Sequence, residues 1–202
     1  YLHDGYCLLK RFDRQGNPLA DIVLPTLGSI PSTGQFFNLT GRRGDDEMFY
    51  GFASFLYPVT IYRYDFSLGQ SELVFAPPLD FDAGRYTTRQ VFVTSLDGVR
   101  VPMFLTHRRD LELDGQNPTL LYGYGGFNIP AVPAFVVSRL IWLEMGGVFA
   151  SANLRGGGEY GEEWHRAGML DKKQNVFDDC IACTEYLIAE KVTSAGKLAI
   201  MM

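Results

Sequence analysis

Positive charge, cysteine and long apolar runs are all scarce in this 202-residue sequence. Lys and Arg number 18 against 23 Asp and Glu, a net charge of −5. No basic block occurs, and Arg42-Arg43 and Arg108-Arg109 are isolated pairs. Phosphate binding needs clustered cations, so nucleic acid is not an expected partner. No stretch of about 18 uncharged apolar residues exists, which argues against a membrane-spanning helix. The greasiest segment, 129–152, contains Arg139 and Glu144. Three cysteines are too few for a disulfide framework. Cys180 and Cys183 form a C-x-x-C, but inside a helical pattern rather than at a helix start, where thiolates are activated. Zinc would need further ligands, and no second C-x-x-C or H-x-x-x-H supplies them. No metal site is expected. Also missing is any Gly-x-Ser-x-Gly, the strained turn that presents a serine nucleophile at the end of a strand.

What is present is the composition of a globular protein: 47% hydrophobic, 20% charged and 14% aromatic residues. The sequence opens on Tyr1 with no charged segment leading into an apolar one, so no signal peptide is visible. Its first residues read as the middle of a strand and its last, 198–202, as the start of a buried one. It is therefore expected to be a piece of a longer protein. Asn38-Leu39-Thr40 matches a glycosylation sequon, relevant only in a secreted chain.

The first third alternates like antiparallel sheet. Strands are predicted over 6–13, 21–24, 47–54, 59–66 and 71–75, with turns at Gln15-Gly16-Asn17-Pro18 and Ser67-Leu68-Gly69-Gln70. Such a meander suits a sandwich or a propeller blade. Ala76-Pro77-Pro78 reads as a boundary, because two prolines cannot donate to a ladder. Beyond it, Asp97-Gly98 between the alternating runs 90–96 and 99–105 predicts a type I′ hairpin. The period then changes: strand 119–124, helix 135–145, strand 147–152, a Gly-rich loop, short helix 162–168, helix 175–190 and strand 198–202. Phe177, Cys180, Ile181, Thr184, Leu187 and Ile188 fall on one face of the long helix, and Asn175 is placed to cap it. Strands alternating with helices imply a largely parallel α/β sheet.

Two glycine clusters are candidates for chemistry. Gly156-Gly157-Gly158-Glu159-Tyr160-Gly161 fits G-x-G-x-x-G between a strand and a helix, as a Rossmann dinucleotide site requires. Against that stand Glu162 and Glu163, which would repel a pyrophosphate at the helix start. The acidic residues about 20 positions on, Asp178 and Asp179, also lie within a helix rather than at a strand end. The second cluster, Tyr122-Gly123-Tyr124-Gly125-Gly126-Phe127-Asn128, follows a strand and precedes a helix. A loop at that place can hold an oxyanion, and a tyrosine hydroxyl can act as donor in place of an amide. Phe127 offers an apolar face to a substrate. Both tyrosines can equally be sheet residues and Phe127 a core residue.

These residues resemble the prolyl oligopeptidase family of serine peptidases. The likeness is dense in Leu121-Tyr122-Gly123-Tyr124-Gly125-Gly126-Phe127-Asn128, Gly146-Gly147-Val148 and Ala152-Asn153-Leu154-Arg155-Gly156-Gly157-Gly158-Glu159-Tyr160-Gly161. It continues through Trp164-His165, Lys172-Lys173-Gln174-Asn175-Val176-Phe177-Asp178-Asp179 and Glu185-Tyr186-Leu187, and is looser but colinear before residue 105. The resemblance implies the end of a seven-bladed β-propeller over 1–78 and the N-terminal half of an α/β-hydrolase peptidase domain over 79–202. It implies cleavage of short peptides after proline through an acyl-enzyme, with no cofactor. Tyr124 would be the side-chain oxyanion donor and Phe127 part of the proline pocket. The family's nucleophile turn would begin at Met202, where glycine is expected instead. Cys180, Cys183 and Thr184 also depart from its usual Phe, Ala and Ala. His3, His107 and His165 do not match its catalytic histidine, so the triad lies outside this sequence, and the segment alone is expected to be inactive. The resemblance further implies a monomeric, cytoplasmic parent, or a periplasmic one if a leader precedes residue 1. The alternatives are a Rossmann-like nucleotide-binding domain, or a non-catalytic interaction module of hydrolase fold.

Overall fold

The computed structural model describes residues 1–33, 36–37 and 39–202. Asn38 of the sequon lies outside the described residues. The chain divides into two compact units: Tyr1–Phe81 with Val132–Val136, and Asp82–Ala131 with Val137–Met202.

The first unit is antiparallel. Strands β1 (Leu2–His3) and β2 (Tyr6–Cys7) pair, as do β3 (Ser32–Thr33) and β4 (Phe36–Phe37). The main sheet is a meander of β5 (Leu39–Thr40), β6 (Glu47–Phe52), β7 (Thr60–Asp65) and β8 (Gln70–Phe75). Aromatic cross-strand pairs hold it: Tyr50 faces Tyr62 with ring centroids 5.4 Å apart and planes 15° apart. Tyr50, Phe52, Tyr64 and Ile22 form its core. Asp65 Oδ1 accepts the backbone N–H groups of Ser67 and Leu68 and so closes the turn into β8. The strand expected over 6–13 is shorter. After Cys7 only isolated bridges occur, Leu9 to Ile22 and Phe12 to Pro18, and a proline cannot extend a ladder.

The second unit holds a five-stranded sheet in the order β13-β11-β12-β10-β9. Its strands are β9 (Tyr86–Thr94), β10 (Arg100–Arg108), β11 (Thr119–Gly123), β12 (Val148–Ala152) and β13 (Leu198–Met201). The hairpin β9–β10 is antiparallel, and β10 also runs antiparallel to β12. Strands β11, β12 and β13 are mutually parallel. Helix α1 (Val137–Glu144) connects β11 to β12. Helices α2 (Glu162–Arg166) and α3 (Gln174–Ala189) lie between β12 and β13. This is the strand order and pairing of the first half of an α/β-hydrolase sheet. Every residue of β12 is buried, as suits a central parallel strand covered on both faces. No helix of the described residues is long and apolar enough to cross a membrane.

Three local expectations are corrected. The hairpin turn is not type I′, which needs positive φ at both central residues. Here only Gly98 has it, at 87°, and Gly98 N–H donates to Ser95 O at 2.9 Å. This is a three-residue turn closed by a left-handed glycine. Asn175 does not cap α3. It lies inside the helix and donates from Nδ2 to Ala167 O at 2.8 Å. The buried face of α3 is also rotated from the predicted one, because it consists of Val176, Asp179, Cys180, Cys183 and Leu187. Phe177, Ile181 and Ile188 are exposed. A charged residue in the middle of the buried stripe concealed its true position.

Candidate active site

Parallel strands direct their carboxyl ends the same way, and open α/β sheets bind ligands there. Because β11 and β12 are adjacent and parallel, the loops that follow them meet. Asn128 N–H donates to Gly156 O at 3.1 Å, and the His165 ring nitrogen Nδ1 lies 2.8 Å from the same oxygen. The loops fit because both contain glycine at the crossing. A methyl group on Gly125 (φ 56°) would lie 2.5 Å from Val176 Cγ1, and one on Gly156 (φ 93°) would lie 2.6 Å from Gly125 O. Lys173 Nζ donates to Gly125 O at 2.9 Å from the side of α3.

On this loop Tyr124 is 39% exposed and Phe127 83% exposed. Their ring centroids are 6.4 Å apart with a 32° tilt. Neither is a core residue, which removes the packing explanation for Phe127. Phe127 and Asn128 both have left-handed backbone, φ 54° and 58°. Two successive non-glycine residues in that region cost on the order of 1–3 kcal/mol each, so the surroundings must hold them.

Behind the loop is a buried charge cluster that the sequence reading did not identify. Arg155 is 3% exposed, and Asp179 is fully buried. The Arg155 guanidinium donates to Asp179 through Nε (3.0 and 3.1 Å) and NH2 (2.6 Å), and its backbone N–H donates to Asp179 Oδ2 at 3.0 Å. It also pairs with Asp97 in the hairpin turn, and Ser95 Oγ donates to Asp179 Oδ1 at 2.6 Å. Burial would lower the Arg155 pKa, but the bonds to Asp179 and Asp97 outweigh it and raise the value. The hydrogen bond from Arg155 holds the Asp97 carboxyl below the usual carboxylate range. The available signal was Asp97 at a turn together with an acidic pair within a helix.

A second buried carboxyl, Glu159, is 4% exposed. Its Oε1 accepts the Ala131 N–H at 2.8 Å and Asn153 Nδ2 at 3.2 Å. Asn153 Nδ2 also donates to Ala131 O at 2.7 Å. Burial pushes the Glu159 pKa up, against the lowering effect of these bonds. Glu159 Oε2 and Asn153 Oδ1 have no hydrogen-bond partner among the described residues.

The G-x-G-x-x-G segment is used in the protein's own packing. A methyl group on Gly157 would lie 2.3 Å from Glu159 Oε2, and one on Gly158 would lie 2.6 Å from Asn128 O. Glu162 and Glu163 occupy the first turn of a five-residue helix. Nothing in this arrangement supports a nucleotide site. Cys180 and Cys183 are buried free thiols whose pKa values burial pushes up. Among the described residues no group of three His, Cys, Asp or Glu is placed to hold a metal.

Comparison with known proteins points the same way in both units. The model for the prolyl oligopeptidase N-terminal β-propeller domain matches residues 1–77, and the model for the prolyl oligopeptidase family matches 133–201. A prolyl endopeptidase of Elizabethkingia miricola is 40% identical over 200 residues, 99% of this chain and 28% of that protein. The prolyl oligopeptidase ophP of Omphalotus olearius is 47% identical over 191 residues, 92% of this chain and 24% of that protein. A solved prolyl endopeptidase, from work on inter-domain dynamics in catalysis and specificity, superposes with a TM-score of 0.87 at 47% identity, covering 99% of this chain and 29% of that one. Prolyl oligopeptidase B from Galerina marginata, solved with a 35mer hydrolysis and macrocyclization substrate, gives 0.87 at 31% identity, covering 99% and 28%. The chain thus spans under a third of the length of each of these relatives.

Proposed function

The chain belongs to the prolyl oligopeptidase family of serine peptidases, and from that premise we propose that it forms part of an endopeptidase cleaving short peptides on the carboxyl side of proline through an acyl-enzyme. Residues 1–78 are the end of its propeller and 79–202 the first part of its peptidase domain. The serine, aspartate and histidine of the triad come from outside these residues. The reaction uses no cofactor. The parent is a monomer, and three free cysteines suit a reducing, cytoplasmic setting.

One observation supports this reading above the others: Tyr124 and Phe127 stand exposed and adjacent on a loop fixed by packed glycines at the carboxyl end of β11. When the nucleophile attacks the carbonyl, negative charge develops on its oxygen. The Tyr124 hydroxyl donates to that oxyanion, and the Phe127 ring packs on the substrate proline. Since the oxyanion exists only in the transition state, Tyr124→Phe lowers kcat while KM changes little. Loss of one such donor costs on the order of 10²–10³ in kcat. Phe127→Ala instead raises KM for proline substrates. Steady-state kinetics of the two variants in the full-length protein test the assignment. An unchanged kcat in Tyr124→Phe, with the fold intact by circular dichroism, removes Tyr124 from the mechanism.

A further inference from the structure

We propose that Glu159 is a positioning residue for Phe127, gripping Ala131 together with Asn153 so that the left-handed turn at Phe127-Asn128 is held ready for substrate. The proposal rests on the proline-pocket reading of Phe127 given above.

Three features support it. First, the contact is specific to the backbone. Glu159 Oε1 takes the Ala131 N–H at 2.8 Å, and Asn153 Nδ2 gives to the Ala131 carbonyl at 2.7 Å. The two side chains satisfy both polar groups of one peptide residue, as a neighbouring strand would. Second, the grip is close to the turn. Only Ile129 and Pro130 separate Ala131 from Asn128, and proline fixes its own φ, so displacement of Ala131 is passed along the chain rather than absorbed. The other side of the turn is anchored separately, by Asn128 N–H on Gly156 O (3.1 Å) and Lys173 Nζ on Gly125 O (2.9 Å). Third, the pair is costly to bury. Glu159 and Asn153 are 4% and 0% exposed, and each retains one oxygen without a hydrogen-bond partner among the described residues. Buried polar groups that are only partly satisfied destabilise a fold, so packing alone does not account for them. A role in holding Ala131 does.

The test uses Glu159→Ala and Glu159→Gln in the full-length protein. Glutamine keeps Oε1 as acceptor, whereas alanine removes it. The first readout is nicking by chymotrypsin after Phe127, mapped by mass spectrometry, with the thermal midpoint measured alongside. Glu159→Ala is expected to speed nicking at Phe127 by about tenfold without a matching rise at other sites, because loss of the grip opens the turn locally. The second readout is kinetic. Glu159→Ala is expected to raise KM for a proline peptide by about fivefold with kcat nearly unchanged, since uniform binding is lost. Its alanine analogue is little affected, and Glu159→Gln restores both readouts. Unchanged nicking, nicking that rises everywhere as the melting point falls, or a glutamine variant as impaired as the alanine one overturns the proposal. If Phe127→Ala leaves proline kinetics unchanged, the pocket reading fails, and the nicking result still decides whether Glu159 holds the turn.

Discussion

Asp179 accepts both the guanidinium and the backbone N–H of Arg155, at 2.6 and 3.0 Å, and thereby pins the start of the Gly-rich loop to the middle of α3. Breaking this pair leaves a buried cation without its main partner, a loss on the order of 3–5 kcal/mol. Asp179→Ala is therefore expected to be severely destabilised in urea unfolding. Asp97→Ala removes a carboxylate whose side chain is 45% exposed, and solvent screening reduces that loss to about 1 kcal/mol or less. The check is the order of the two variants: equal stability, or a weaker Asp97 variant, contradicts the central place given to Asp179.

Glu159 links stability to pH. Burial raises its pKa in the folded protein above the ordinary 4.5. Folding therefore favours the neutral acid. The associated stability is present below the unfolded pKa and is lost as pH rises through the folded one. Glu159→Gln is neutral at every pH and lacks this dependence. Relative to the variant, the parent is expected to lose stability as pH is raised from about 4.5 towards neutrality. A difference in unfolding free energy that stays flat across that range rules the linkage out.

Gly125→Ala places a methyl group 2.5 Å from Val176 Cγ1 and 3.0 Å from Arg155 O at a residue with φ 56°. The loop has to shift, and Tyr124 shifts with it. Misplacement by about 1 Å can cost on the order of 10² in rate. The peptidase is expected to lose activity on that scale while its circular dichroism spectrum is retained. Full activity shows that the loop tolerates displacement.

The cysteines predict a labelling order. Cys7 is half-buried, whereas Cys180 and Cys183 line the core face of α3. Burial raises both helix thiols and lowers their reactive thiolate fraction. Iodoacetamide is expected to modify Cys7 in the native protein and the helix pair only in denaturant, as read by mass spectrometry. Native labelling of Cys183 would place α3 in a different rotation.

The element types were legible because their periods are clean: alternating aromatics in β6 and β7, a short apolar run in β11, and helical spacing in α3. The rotation of α3 was not, because hydrophobic patterning treats Asp179 as a surface residue and so shifts the apolar stripe onto Phe177, Ile181 and Ile188. Only its pairing with Arg155, 24 residues away, makes the buried carboxylate reasonable. The same limit applies at the site. Tyr124 and Phe127 stand out next to glycines. Glu159 and Lys173 act across loops, through contacts that no local pattern encodes. The Asp-Gly turn was found, but its type depends on Asp97 keeping negative φ while its side chain reaches Arg155.

The three consecutive glycines after Arg155 differ in how they could be replaced over evolutionary time. At Gly156 and Gly158 the obstacle to a side chain is backbone, the carbonyls of Gly125 and Asn128. No side-chain change can shorten a carbonyl, so a larger residue at either site requires the backbone itself to move. At Gly157 the obstacle is the Glu159 carboxylate, which can be shortened. Residues 157 and 159 therefore form an exchangeable pair. Lineages that acquire a larger residue at the first are expected to have lost the glutamate at the second, and with it the grip on Ala131.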